Sequence, residues 1–276
     1  MTLTELFTNI ANAIRSKKGT TDKIRPVNFA SEIEAFECEE NVVVDSNLVK
    51  NGTAISSAII KISNLDLEGK TDYNSLCSNM KYLQAFPFIK NSVLVTSMSG
   101  ICSACQNMSD YTNLENMDTS QVQNFNSAFY QNYQAKAPAI DTSGGVTFNN
   151  MFHYSKFQEM PEYDFGSAQS FSKVLDNCGD LRICGGFKNL GKNFTTTSEN
   201  AYVFSLVYCS NLTLESAINI LNKLYDLNLT YNVANDGVLY RQQIRFNTDV
   251  LNSLQSIEEG QQALAGADAK GWNVTT

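Results

Sequence analysis

"QNFNSAFYQN", residues 123–132, holds Phe125, Ala128 and Phe129 at i, i+3 and i+4, the spacing of one face of a helix. The same triplet recurs as Phe148, Met151, Phe152 and as Phe171, Val174, Leu175. Upstream it reads Tyr73, Leu76, Cys77 and Ile101, Ala104, Cys105; downstream it reads Tyr202, Ser205, Leu206. Third members then fall at 77, 105, 129, 152, 175 and 206, giving spacings of 28, 24, 23, 23 and 31. The flanks agree as well: "VLDNCGDL" (174–181) aligns without gaps to "SLVYCSNL" (205–212), and "MDTS" (117–120) matches "IDTS" (140–143). Ser97, Ser120, Ser143, Ser167 and Ser198 stand four or five residues ahead of triplets, where a helix N-cap belongs. Each unit is therefore expected to be a cap, a short amphipathic helix, a turn and a short extended segment such as "AKAPAID" (135–141). One such unit cannot bury its apolar face, so the units must stack side by side. The expected fold is an α/β solenoid of short helix plus short strand units, spanning residues 71–211.

A stack needs closed ends, because an open one leaves apolar surface and strand edges wet. Residues 212–276 read as an α/β cap. Thr213 begins a helix striped by Leu214, Ala217, Ile218, Leu221 and Leu224, and "VLYRQQIRF" alternates Val238, Tyr240, Ile244 and Phe246 as a strand. Ser256 with Glu259 reads as a capping box, Gly271 as a helix C′ residue, and Trp272 with Val274 as a last strand. At the other end, residues 1–37 read as a helical attachment segment. Thr2 and Glu5 form a capping box, Leu3, Leu6, Phe7, Ile10 and Ile14 make one stripe, and Phe29, Ile33 and Phe36 make a second. Between them, residues 38–70 are a connector in which "NVVV" and "ISSAIIKI" read as strands on either side of Asn51-Gly52.

Composition narrows the function classes. In 276 residues, 43% are hydrophobic, which excludes disorder. Only 17% are charged, with Asn, Ser, Thr and Gln carrying the polar load, a balance that suits an extracellular or virion protein. A net charge of −8 without clustered Lys and Arg argues against nucleic acid as a partner. No apolar run reaches the roughly 18 residues of a membrane span. The N-terminus lacks a signal peptide's apolar stretch, so synthesis in a cytoplasm without export is expected. Seven cysteines, an odd number, argue against a disulfide framework.

The motifs carry a resemblance. Met151-Phe152, the runs "NCGDL" and "YCSNL", and "MDTS" with "IDTS" resemble the leucine-rich repeats of bacterial surface proteins, in which a Met-Phe pair is followed by Cys and Leu and units are joined by Asp-Thr-Ser. Met80, Met108, Asn132 and Ser155 stand where that pattern has Cys. "LTELFTNIANAIRSKKGTTDKIRPVNFASEIEAF" is similar to N-terminal segments of structural proteins of phages that infect Firmicutes. "LTLESAINILNKLYDL" and "LNSLQSIEEGQQALAGADAKGWNV" resemble the C-terminal cap on repeat proteins of the same phages. The resemblance implies a phage tail- or baseplate-associated virion protein that binds the host surface, a glycan or a protein, and other tail proteins. It leaves homo-oligomerisation open, a trimer being common in tail appendages. A bacterial cell-surface adhesin with the same repeats is the alternative.

Several residues invite a chemical reading. Cys102-Ser-Ala-Cys105 has the spacing of half a zinc site or of a thiol–disulfide pair. No second such pair and no His-x-x-x-His completes a metal site, and Cys105 falls in the column of Phe129, Phe152 and Leu175, so core filling is expected. Cys105→Ser is accordingly expected to destabilise the chain without releasing a metal. His153 is the sole histidine, and no Gly-x-Ser-x-Gly elbow accompanies it. Glu39-Glu40 and Glu258-Glu259 read as solvated charges rather than a glycosidase pair, and Gly144-Gly145 and Gly185-Gly186 as turns needing positive φ. The expectation is no enzyme, no cofactor and no metal. The residues that follow each triplet vary, and Tyr130, His153, Tyr154 and Tyr208 among amides suit stacking on a ligand. Packing of these rings between adjacent units is the competing reading.

Overall fold

The computed structural model describes residues 8–12, 62, 64–67, 69–90, 94–229 and 238–276. The chain divides into two compact units, Met1–Val43 and Val44–Thr276. In the first, residues 8–12 are helical with Ala11 buried. The rest of the expected attachment segment, and the strands and Asn51-Gly52 turn expected in the connector, lie outside the described residues.

The second unit is a mixed α/β body of few helices and short strands in small parallel sheets. β1 (Asn64–Asp66) pairs with β2 (Phe88–Lys90), β3 (Glu159–Met160) with β5 (Ile183–Cys184), and β4 (Tyr163–Asp164) with β6 (Phe187–Lys188). A continuous line of parallel bridges runs Asp72–Ser97–Asn124–Thr147–Ser170, with Ala85–Asp110 and Lys136–Glu159 bridged beside it. Each step along it advances the chain by one repeat unit.

That line corrects the sequence register at one unit. Residues 73, 98, 125, 148 and 171 follow successive bridge residues, so the unit beginning at Met98 has Ile101 and Cys102 as its second and third members. Cys102, not Cys105, stands with Cys77, Phe129, Phe152 and Leu175. The two choices are offset by i+3, which is itself an apolar position, so the pattern alone tolerated either.

The expected helix in each unit is absent; turns take its place in the first five units, and in the sixth a strand over Val203–Leu206 does, burying Phe204 and Leu206. Left-handed backbone recurs every fourth residue, at Ser75 and Asn79, Gly100 and Ala104, Ser127 and Gln131, Asn150 and Tyr154, Lys173 and Asn177. This four-residue period buries i, i+3, i+4 and i+7, as a helix would. Alternate N–H groups then serve two purposes. Phe125, Ser127, Phe129 and Gln131 donate to the carbonyls of Thr147, Asn149, Met151 and His153 in the next unit, while Ala128 and Tyr130 close turns on Phe125 and Ser127. An isolated helix of two turns leaves its first four N–H groups unpaired and is too short to form unaided, so the ladder wins. With no helix to cap, Ser120 and Ser143 instead give their N–H groups to Asp118 and Asp141 in side-chain turns.

Rings stack along the columns, Phe125 on Phe148 at 5.4 Å and Phe129 on Phe152 at 5.7 Å between centroids. The i+7 column is polar-capable and serves a separate purpose. The Cys105 thiol donates to the Cys77 carbonyl at 2.8 Å, Asn132 Nδ2 to Cys102 at 2.7 Å, Ser155 Oγ to Phe129 at 2.5 Å and Cys178 Sγ to Phe152 at 2.9 Å. These four members are small and carry a donor, which explains why Cys, Asn and Ser exchange there. Met80 of the first unit, which has no described unit before it to bond to, fills the column with apolar volume instead. Asn132 is fully buried, and its Oδ1 accepts from Tyr111.

The C-terminal part follows the sequence reading more closely. β7 (Val203–Leu206), β8 (Gln242–Phe246) and β9 (Trp272–Thr275) form one parallel sheet in that order. α2 (Leu214–Lys223) begins at Thr213, whose hydroxyl accepts from the Ser216 N–H; it follows the short α1 (Thr112–Glu115). α3 (Thr248–Ser256) and α4 (Glu258–Ala269) carry the crossover from β8 to β9. Ser256 does not cap α4; Ile257 holds that position, and Ser256 Oγ donates back to Ser253. Gly271 is the C′ residue at φ +88°, and Trp272 is buried with its indole N–H on Tyr225. At the expected glycine turns only Gly186 has positive φ. Gly144 and Gly185 are required for another reason, since a Cβ there would overlap backbone atoms of Ser120 and of Glu162 in the neighbouring unit.

Candidate functional site

The rungs place positions i+5 and i+6 of successive units side by side on one face. Tyr130 and His153 occupy i+5, and Tyr154 occupies i+6. The structure brings these three together: Tyr130 meets His153 at 5.6 Å and Tyr154 at 6.1 Å, and His153 stacks on Tyr154 at 4.3 Å. Tyr154 is still 47% exposed, so its ring packs on one side and faces water on the other. Packing between units thus accounts for only part of this ring. Its φ of 60° is costly for an aromatic residue; Asn occupies the same left-handed position at 79 and 177.

His153 Nε2 lies 3.4 Å from Asn177 Nδ2. Burial pulls the imidazole pKa below its usual value; Asp176 opposes that shift and Lys173 adds to it. Tyr133 and Lys156 extend the face, with the Lys156 ammonium 5.1 Å from the ring centroid. They stand one unit apart in the chain, so the repeat spacing could have paired them. Tyr208, 51% exposed, has no ring contact with the other three among the described residues. It borders a groove of about 650 Å³ between the fifth unit and β7 instead, with Phe171, Lys173, Asp176, Tyr202, Ser205 and Arg245. That groove arises where the ladder stops, a feature without a sequence signature.

Among the described residues the six thiols are buried and form no disulfide. Burial raises Cys178 and Cys184 to about 12 and lifts Cys102 well above the ordinary thiol range, so these remain protonated and unreactive at neutral pH. Among the described residues no group of three or more His, Cys, Asp and Glu side chains converges as a metal site. Glu258 and Glu259 lie in the first turn of α4, where the helix dipole favours acids. Glu39 and Glu40 lie outside the described residues. No described helix is long and apolar enough to cross a membrane.

No protein-family model matches the chain, and no curated protein or solved structure matches it either.

Proposed function

We propose that the chain is a virion structural protein of a phage tail or baseplate, whose parallel-bonded units form a leucine-rich-repeat-like solenoid that binds the host surface. The observation that carries this reading is the cluster of Tyr130, His153 and Tyr154, half-exposed rings presented at unit spacing beside amides. Rings of this kind stack on sugar faces or on partner side chains at low entropic cost, and many copies on one particle turn weak contacts into avidity. The N-terminal sequence resemblance supports the virion assignment, with residues 1–37 as the attachment to other tail proteins.

Binding of the purified chain to host cells is the test. Tyr154→Ala should weaken it by about fivefold to tenfold, corresponding to about 1 kcal/mol for a lost stacking contact. Unchanged binding by a Tyr130→Ala/Tyr154→Ala double variant would sink the assignment of this face. Absence of the protein from purified particles by mass spectrometry would sink the virion location. Recovery in a cell-wall fraction without phage induction would favour a bacterial surface adhesin.

A further inference from the structure

The ladder ends in two facing rows of backbone groups that nothing in the described chain satisfies. In the fourth unit Phe148, Asn150, Phe152 and Tyr154 donate to Ser170, Ser172, Val174 and Asp176. In the fifth, the matching N–H groups are those of Phe171, Lys173, Leu175 and Asn177, and none has a partner among the described residues. The reason is a change of backbone shape. Lys173 and Asn177 keep the left-handed conformation, whereas Phe204 and Tyr208, at the equivalent positions, do not. Val203–Leu206 is straight strand and pairs with β8. A turn-based unit and a straight strand cannot share one register.

Pairing with β8 uses the groups of alternate residues, beginning with the Tyr202 carbonyl that accepts from Gln243. In parallel geometry this turns the N–H and C=O of Val203 and Ser205 the other way. Ala201, Val203, Ser205 and Val207 line the 650 Å³ groove on the β7 side together with Tyr202 and Tyr208, and Phe171, Ser172 and Lys173 line the opposite side. The far end is held closed by Cys209 Sγ near the Leu175 carbonyl and Asn211 Nδ2 on the Gly179 carbonyl. β7 thus presents an open edge without the Pro or inward charge that usually blocks one.

We propose that this groove docks an extended segment of a partner polypeptide, which adds to the β7 edge through main-chain hydrogen bonds. Four residues of β7 span about 13 Å at the rise of a strand, so a segment of four or five residues matches the edge. The proposal rests on backbone pairing alone and stands independently of host binding through the Tyr154 face.

The test uses the full chain. In the free protein, hydrogen exchange should find the amides of Lys173, Val203 and Ser205 unprotected. Ten-residue peptides selected from a random ribosome-displayed library would then be synthesised and titrated. The wild type and Ser205→Ala should bind them equally, because both keep the outward N–H. Ser205→Pro, which removes it, and peptides N-methylated at alternate amides should each bind at least about tenfold more weakly. Binding should slow exchange at Lys173 and Ser205. If Ser205→Pro fails to fold, the N-methylated peptides and the exchange data decide. Protection of these amides in the free chain overturns the proposal, as does failure to select any peptide. Equal binding by N-methylated peptides, or protection by cell-wall oligosaccharides or by self-association in place of a peptide, overturns it too.

Discussion

At the scale of single residues, the i+7 column shows how a hydrogen bond sets which substitutions a core accepts. Cys105, Asn132, Ser155 and Cys178 each donate to the carbonyl of the i+4 residue one unit back. Cys105→Ser should therefore leave stability nearly unchanged, contrary to the expectation from an apolar column, because Ser155 already performs the same task. Cys105→Ala removes the donor without adding volume, which should cost about 1–2 kcal/mol from the lost bond and the small void left at this buried site. Urea denaturation of the two variants checks this, and equal losses would refute the role of the bond. His153 supplies a pH prediction. Its folded-state pKa is depressed by burial, so its contribution to stability is present above the unfolded value of about 6.5 and is lost as pH falls through the lower folded value. Wild type should lose more stability between pH 7.5 and 5 than His153→Gln does, measured by thermal melts at both pH values.

At the scale of elements, a four-residue turn replaces the expected helix in each of the first five units. The apolar spacing i, i+3, i+4, i+7 belongs equally to a helix and to a chain with left-handed residues every fourth position. What separates them is the company each unit keeps, since only the turn form exports N–H groups to a neighbour. Tyr154 stores strain in this arrangement at φ 60°. Tyr154→Asn should raise stability by about 0.5–1 kcal/mol while weakening the proposed binding to host cells. A destabilised variant would show that the ring is held by packing rather than kept for its exposed face. Gly144 tests the close approach of adjacent units. Gly144→Ala forces a Cβ against the Ser120 carbonyl and should cost about 1–3 kcal/mol, read as a lowered denaturation midpoint.

At the scale of the whole molecule, the repeat logic predicts that one unit can be removed. Deleting the segment 126–148 joins Phe125 to Asn149 and takes out one step of the bridge line without changing register. The shortened chain should fold cooperatively at reduced stability, as expected when neighbours contribute roughly additively. Deleting the segment 126–142 instead should abolish folding, because the remaining part-unit would turn apolar columns toward solvent. Circular dichroism melts of both deletions distinguish the cases; equal behaviour would contradict a nearest-neighbour stack.

Much of this was legible in the linear sequence. Recurring triplets disclosed the units, the shared position of Cys178 and Cys209, and the surface positions of Tyr130, His153 and Tyr154. Thr213, Gly271 and Trp272 marked the ends of C-terminal elements through capping and burial that depend on near neighbours. Other features were decided only by tertiary structure. The register at Met98, the replacement of helix by turn, and the split beside β7 all depend on which backbone group finds which partner in the adjoining unit. Side-chain pattern records which residues face inward, because burial follows from each residue's own chemistry. It does not record where N–H and C=O groups bond, because every residue but proline carries the same pair.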